Sequence, residues 1–148
     1  MKKIVDYRRF LGVNENTGLA ELKSVYRNLM KTWHPDKFND NHDLKEDAVE
    51  KSKYIIEAYH FLVSIAPETR SQSLAEYTQT TAIPILDHEY KSQVLRINFV
   101  DGNSYEYFGV PKAVYVKLVN ADAPARFARR HIYSSYVYRS MNKLVAVE

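Results

Sequence analysis

A proline-enforced break between two amphipathic stretches, at His34-Pro35-Asp36, constrains the fold of this chain more than any other feature. The apolar residues that precede it recur at steps of three and four, as on one buried helix face: Leu22, Val25, Tyr26, Leu29 and Trp33. A residue before proline is pushed out of the α region, and Pro35 has no amide hydrogen and a fixed φ, so this helix must end at His34. The sequence therefore predicts a stiff corner that exposes an imidazole and a carboxylate.

A row of cations lies on another face of the same helix, because Lys23, Arg27 and Lys31 recur at steps of four. After a polar interval the helical period returns and places four apolar residues on one stripe: Ala48, Ile55, Ala58 and Leu62. Two amphipathic helices joined by a short polar loop are expected to lie antiparallel and to bury their stripes against each other. The first part of the chain is therefore predicted to be an all-α unit, an antiparallel helical hairpin with short flanking helices.

The order of these motifs, over about residues 4–72, resembles that of the J-domain, the module that activates DnaK-type chaperone ATPases. The segments that carry the resemblance are Asp6-Tyr7, Leu11-Gly12-Val13, Leu22-Lys23, Tyr26-Arg27-Asn28-Leu29, residues 33–37 and Glu57-Ala58-Tyr59. In that family the tripeptide and the basic helix face dock on the ATP-bound chaperone and stimulate hydrolysis. The resemblance implies a trigger made of three residues and a set of docking charges: His34, Pro35 and Asp36, with Lys23, Arg27, Lys31 and Lys37. Without the tripeptide, the same cationic row is more typical of a solvated helix face.

The composition changes after the second helix. Residues 73–83 are rich in Ser, Thr and Gln and have no sustained apolar period, which is typical of a frayed helix end and a linker. We therefore expect a J-domain at residues 1–72, a linker at 73–83 and a second domain at 84–148. Charge divides unevenly, since residues 1–76 carry 12 basic and 12 acidic side chains, whereas residues 77–148 carry 9 and 6.

The second half has the pattern of a small α+β domain with a β-hairpin. Residues 94–100 alternate between apolar and polar, Asp101-Gly102-Asn103 is a strong turn signal, and residues 104–110 predict the returning strand. Pro111 is suited to the start of a helix. A second helix at residues 125–131 and a final strand at residues 132–138 complete the predicted order.

This half resembles the KTSC domain, a module named after its occurrence at the C-terminus of some lysyl-tRNA synthetases. The match spans about residues 84–142 and rests on Tyr105-Glu106-Tyr107, Phe108-Gly109-Val110-Pro111 and Val114-Tyr115, followed by Phe127, Ile132 and Tyr138-Arg139. The function of that family is not well established, and nucleic-acid binding is suggested by the proteins in which the domain occurs. The resemblance therefore implies a targeting module of unspecified ligand.

Basic and aromatic side chains alternate near the C-terminus, where residues 123–147 contain no acid. Such a mixture suits nucleic acid, because cations position phosphates and aromatic faces stack on bases. It also suits an acidic protein or a purely structural role. Tyr105 and Tyr107 lie on one strand face, which is either a stacking platform or core. The candidate contacts with RNA, DNA or an acidic protein are Tyr105, Tyr107, Arg126, Arg129, Arg130 and Arg139.

Signals of catalysis, metal binding and membrane insertion are lacking in the sequence. The chain has no cysteine, its five histidines show no ligand spacing, and no glycine-rich phosphate loop occurs among its four glycines. No apolar run approaches the roughly 18 residues of a membrane span. We expect a cytoplasmic protein that is not an enzyme and that uses no metal or cofactor.

Three functions are compatible with these patterns. The first is a J-domain cochaperone that stimulates the ATPase of a DnaK-type chaperone and is directed to its target by the second domain. The alternative is a nucleic-acid or ribosome-associated binding protein whose J-like domain is only a docking scaffold. A purely structural partner module is a third, but it leaves His34-Pro35-Asp36 unexplained.

Overall fold

The structure, a computed structural model, describes residues 2–141, which divide into two units, residues 2–69 and 70–141. The first unit is helical, as predicted. Its elements are α1 (Lys2–Leu11), α2 (Leu19–Trp33), a 3₁₀ turn (Pro35–Phe38), α3 (His42–Ser64) and the beginning of α4 (Pro67–Gln72). No helix in the described part of the chain is both long enough and apolar enough to cross a bilayer.

Packing of α2 against α3 forms the core of the first unit, as the two apolar stripes predict. Leu22 of α2 is buried, as are Ile55 and Leu62 of α3. Tyr26 of α2 stacks on Tyr59 of α3 with ring centroids 4.2 Å apart. Helix α1 packs on α3 as well. Because α2 and α3 form a hairpin, the loop that joins them, with the proline corner, lies at one end of the pair.

The second unit is a small α+β domain, which confirms the predicted class. Its elements are α5 (Leu74–Thr81), β1 (Ile85–Lys91), β2 (Val94–Phe99), β3 (Ser104–Phe108), α6 (Lys112–Asn120), α7 (Pro124–His131) and β4 (Val137–Ser140). The strands form one antiparallel sheet in the order β1-β2-β3-β4. The predicted hairpin is β2–β3, which turns at residues 100–103.

The final strand is shorter than the sequence predicts. The pattern predicts a strand at residues 132–138, but β4 begins at Val137. The amides of Ile132 and Tyr133 both bond to the carbonyl oxygen of Ala128, at 2.8 and 2.9 Å, and so continue the winding of α7. Local helical hydrogen bonding therefore takes precedence over β propensity in this stretch.

The interval predicted as a linker, residues 73–83, instead contains α5, a helix that belongs to the second unit. Tyr77 and Thr80 of α5 are buried, and the Thr80 hydroxyl donates to Asp101 Oδ2 at 2.8 Å. The helix shows little apolar period because Tyr77 and Thr80, three residues apart, are the positions it buries. A polar composition therefore concealed an element of the core.

The antiparallel register places the large apolar side chains of the sheet on one face. Leu95 lies opposite Tyr107, and Ile97 lies opposite Tyr105. All four are buried in one core together with Tyr77 of α5. The helices of the domain therefore cover this face of the sheet, and the opposite face of the sheet carries the alternating polar residues.

Candidate functional site

The His-Pro-Asp turn (residues 34–36) lies on the surface between α2 and α3. His34 ends α2 in extended backbone, with φ −61° and ψ 131°, while its amide still donates to the carbonyl oxygen of Met30 at 2.9 Å. Pro35 then begins the 3₁₀ turn, so the change of direction occurs where proline chemistry predicts it. The side chains of His34 and Asp36 are 49% and 81% exposed, and both are accessible to a partner.

The imidazole of His34 takes part in the turn that displays it. Its Nδ1 accepts the amide hydrogen of Asp36 at 3.2 Å and lies 3.6 Å from Oδ2 of the same residue. Because Nδ1 is the acceptor, Nε2 carries the proton of the neutral ring. The turn therefore offers an N–H donor on a half-exposed ring beside a carboxylate that only accepts hydrogen bonds.

Backbone hydrogen bonds fix the residues that follow the turn. The amide of Lys37 donates to the carbonyl oxygen of His34 at 3.0 Å, and the amide of Asn41 donates to that of Phe38 at 3.2 Å. Asn41 is also the N-cap of α3, because its Oδ1 accepts the amide of Leu44 at 3.1 Å. The connection between α2 and α3 is thus a constrained loop.

Two stacked aromatic residues join the two ends of the loop, and sequence reasoning missed this contact. Trp33, just before the turn, stacks on Phe38, just after it, with centroids 6.3 Å apart and planes at 25°. Lys51 of α3 places its Nζ 3.9 Å from the centroid of Trp33. In the sequence, Lys51 is one of many charges on an outer helix face, and only the two aromatic residues flanking the tripeptide signal the arrangement.

The predicted docking charges lie on α2 and in the 3₁₀ turn. Arg27, Lys31 and Lys37 are exposed, and Lys23 is half-buried. The carboxylates of residues 2–141 form no salt bridge with any of these four cations. The cationic row on α2 therefore ends three residues before the His-Pro-Asp turn, and its charges are available to a partner.

The helix that carries this row is anchored at its other end by Glu68 of α4. Gly18, the N-cap of α2, has no side chain to cap the helix, and Glu68 Oε1 instead accepts the amide of Leu19 at 2.6 Å. A Cβ atom at Gly18 would lie 2.6 Å from that oxygen, so the glycine makes room for the carboxylate. A negative charge at a helix N-terminus is also favourable electrostatically.

Two candidate contact residues in the second unit, Tyr105 and Tyr107, are core residues. They are 2% and 0% exposed, and the hydroxyl of Tyr107 lies 3.0 Å from that of Tyr77. Burial raises the pKa of Tyr105 to about 12 and the pKa of Tyr107 well above its ordinary value, so both stay neutral. Of the two roles that the sequence left open, stacking platform and core, the structure shows core.

Arg139, a further candidate contact residue, lies on the opposite sheet face within a row of opposite charges. Its Nη1 is 3.6 Å from Oε1 of Glu106, whose Oε2 is 3.8 Å from Nη2 of Arg96. These residues lie directly opposite one another on β2, β3 and β4. The shared carboxylate reduces the positive potential that a phosphate would encounter on this face.

Known families match both units. Residues 6–72 match the DnaJ domain, and residues 79–136 match the KTSC domain. The chain is a J-domain followed by a KTSC domain. The KTSC match begins inside α5, so the core residue Tyr77 lies just before it.

The J-domain is similar to those of several curated proteins. They include the chaperone protein DnaJ of Thermosipho africanus (42% identical over 66 residues), that of Thermoplasma volcanium (45% over 65) and DnaJ homolog subfamily B member 6 of Bos taurus (42% over 59). The matches cover 45%, 44% and 40% of this chain but only 16%, 16% and 23% of the relatives. The similarity to these proteins is therefore that of one domain.

The remaining candidate contacts lie together on α7 of the KTSC domain. Arg126, Arg129 and Arg130 are exposed and recur at steps of three and four, so they share one side of the helix. They form no salt bridge with the carboxylates of residues 2–141. Since Tyr105 and Tyr107 face the core, α7 is the part of the predicted contact set that stays accessible as a cationic surface.

Proposed function

We propose that this protein is a cytoplasmic J-domain cochaperone that stimulates ATP hydrolysis by a DnaK-type chaperone, with the KTSC domain as its targeting module. The observation that carries the proposal is the exposed His-Pro-Asp turn at the end of the cationic row on α2. A rigid turn presents its donor and its carboxylate without a large ordering cost on binding. A complementary partner surface carries an arginine for Asp36 and acidic groups for the row on α2.

Electrostatic magnitudes suit a transient contact. Exposed ion pairs contribute about 0.2–1 kcal/mol each, so the docking charges together give weak binding that salt reduces. Weak binding permits the cochaperone to leave after hydrolysis and to act on another chaperone molecule. This is the behaviour required of an activator that works in less than stoichiometric amounts.

Single-turnover ATP hydrolysis by a DnaK-type chaperone from the same cell tests the proposal. The wild-type protein is expected to accelerate hydrolysis, and His34→Gln is expected to return the rate to the unstimulated value. The substitution removes the imidazole, and the amide of glutamine lies one bond further from the backbone than Nδ1 does. Glutamine keeps an N–H donor at the bond distance of Nε2, but it has no acceptor at the position of Nδ1, so the hydrogen bond from the Asp36 amide is lost.

His42→Gln is the matched control, because the side chain of His42 is 82% exposed and pairs only with Glu46, at 3.2 Å, among the described residues. We expect it to stimulate like the wild type. Full stimulation by His34→Gln contradicts the proposed role of the turn. Absence of stimulation by the wild type contradicts the cochaperone function and favours the alternative, a nucleic-acid or ribosome-associated binder with a J-like scaffold.

For the targeting module we propose an anionic target, contacted by Arg126, Arg129 and Arg130. Their exposure, and the lack of acidic partners for them within residues 2–141, support this choice. The buried tyrosines and the paired Arg139 do not favour base stacking on the sheet, so charge is the principal recognition element. RNA, DNA and acidic proteins each offer such charge.

Fluorescence anisotropy with labelled single-stranded RNA and with a labelled acidic peptide tests this interaction. We expect binding to weaken with salt, and the R126Q/R129Q/R130Q variant to bind more weakly with a shallower salt dependence. The log–log slope should fall by about 0.7 for each phosphate that an arginine no longer neutralises. The control is K112Q/K117Q, which removes exposed cations from α6 instead. Equal binding by the arginine variant and the wild type contradicts the assignment, and the preferred ligand identifies the class of target.

A further inference from the structure

The stack of Lys51, Trp33 and Phe38 has no assigned role and lies against the residues proposed to trigger ATP hydrolysis. Lys51 comes from α3, Trp33 is the last residue of α2, and Phe38 ends the 3₁₀ turn. The contacts therefore join both helices of the hairpin to both ends of the loop. We propose that Lys51 is a positioning residue, which holds Trp33 against Phe38 and thereby fixes the orientation of the His-Pro-Asp turn.

The geometry of the cation supports this role. Lys51 Nζ is 3.9 Å from the centroid of Trp33, well within the roughly 6 Å over which an aromatic ring attracts a cation. Tryptophan is the aromatic residue that binds cations best. The neighbouring Glu50 pairs with Lys53 at 3.7 Å, whereas Lys51 forms no salt bridge among residues 2–141. The charge of Lys51 is thus directed to the ring.

The place of Trp33 next to the turn explains how its contact with Lys51 affects the turn. Trp33 immediately precedes His34, and the amide of His34 is still part of α2. Rotation of Trp33 away from Phe38 frees the two ends of the loop to separate, and the Asp36 amide then loses its fixed position under His34 Nδ1. A looser turn lowers both the affinity for the chaperone and the stimulated hydrolysis rate, because the His-Pro-Asp turn must then become ordered on binding.

The inference rests on the proposed cochaperone function and is tested by a double-mutant cycle in the same hydrolysis assay. The variants are Lys51→Met, Lys51→Arg, Trp33→Leu and K51M/W33L, all in the full chain. We expect Lys51→Met to lower the stimulated rate by about three- to tenfold, as removal of one cation–ring interaction implies, and Lys51→Arg to restore it. In the Trp33→Leu background, Lys51→Met should have no further effect.

Tryptophan emission supplies a readout that is independent of the chaperone. Trp33 is the one tryptophan of the chain, so its fluorescence reports the stack directly. Lys51→Met is expected to shift this emission and the amide resonance of Asp36, with a loss of stability no larger than that of one cation–ring interaction. Lys53→Met, which removes a charge from the same helix, is expected to leave the emission as it is.

The outcomes separate the inference from the function on which it rests. If the wild type fails to stimulate hydrolysis, the cochaperone function itself is wrong and the positioning role falls with it. If the wild type stimulates and Lys51→Met stimulates equally, only the positioning role is overturned. A further loss from Lys51→Met in the Trp33→Leu background also overturns it, because Lys51 then acts on the chaperone directly and not through the ring.

Discussion

Asp36→Asn is expected to lower stimulation of the chaperone ATPase by roughly ten- to hundredfold while the J-domain keeps its fold. The Asp36 side chain is 81% exposed, and its role in the turn is carried by its backbone amide, which donates to His34 Nδ1. The asparagine side chain has the same shape but no charge. A hydrogen bond to a charged group contributes about 1.5–3 kcal/mol. Its loss at the interface therefore makes the turn a roughly ten- to hundredfold weaker activator of hydrolysis.

The measurement is the stimulated hydrolysis rate as a function of cochaperone concentration, accompanied by circular dichroism and thermal unfolding. Asp40→Asn is the matched control, since Asp40 is an exposed carboxylate in the same loop outside the tripeptide. We expect Asp40→Asn to act like the wild type. Stimulation by Asp36→Asn at the wild-type level would falsify the assignment of the carboxylate to the trigger.

Tyr77→Ala is expected to unfold the KTSC domain. The ring of Tyr77 stacks on Tyr138 with centroids 3.8 Å apart and planes at 3°, and its hydroxyl donates to the carbonyl oxygen of Tyr133 at 2.7 Å. Truncation of a large buried aromatic residue costs about 3–5 kcal/mol. A domain of this size has little more than that in total, because small domains lie near the lower end of about 5–15 kcal/mol.

Urea unfolding followed by near-ultraviolet circular dichroism, which reports the packed tyrosines, measures the effect in the full chain. Leu74→Ala is the control on the same helix, because Leu74 is 54% exposed and its loss is expected to cost less than about 0.5 kcal/mol. A fragment that begins at residue 84 lacks α5 and is expected to be unfolded like Tyr77→Ala. If Tyr77→Ala unfolds at the wild-type urea concentration, the Tyr77 side chain is dispensable for stability, and if the fragment does so, α5 as a whole is dispensable.

The local chemistry of particular residues made the J-domain predictable. Pro35 dictates where α2 ends, because it acts on its own φ and on the residue before it. Leu22 and Ile55 recur with their neighbours at helical steps over long stretches, so the buried stripes and the packing of α2 on α3 follow from spacing alone. The turn and the cationic row needed no tertiary information, since both depend on residues close in sequence.

Long-range contacts account for what spacing did not predict. Glu68 caps α2 across 49 residues of sequence, and Lys51 reaches Trp33 from the next helix. Neither side chain differs, as a sequence pattern, from the other surface charges near it. Helix α5 escaped prediction for a related reason, because Tyr77 is buried by β3 and β4 and not by a stripe of its own helix.

The sequence by itself determined the two domains, the position of the corner between α2 and α3, and the residues that the corner displays. Only the tertiary structure decided which aromatic residues are core, which arginines stay exposed, and which residues hold the trigger in place. Tyr105 and Tyr107 alternate along a strand in the same way whether their face is open or covered by helices. Whether helices cover a strand face depends on elements distant in the chain, and the alternation along one strand contains no information about those elements.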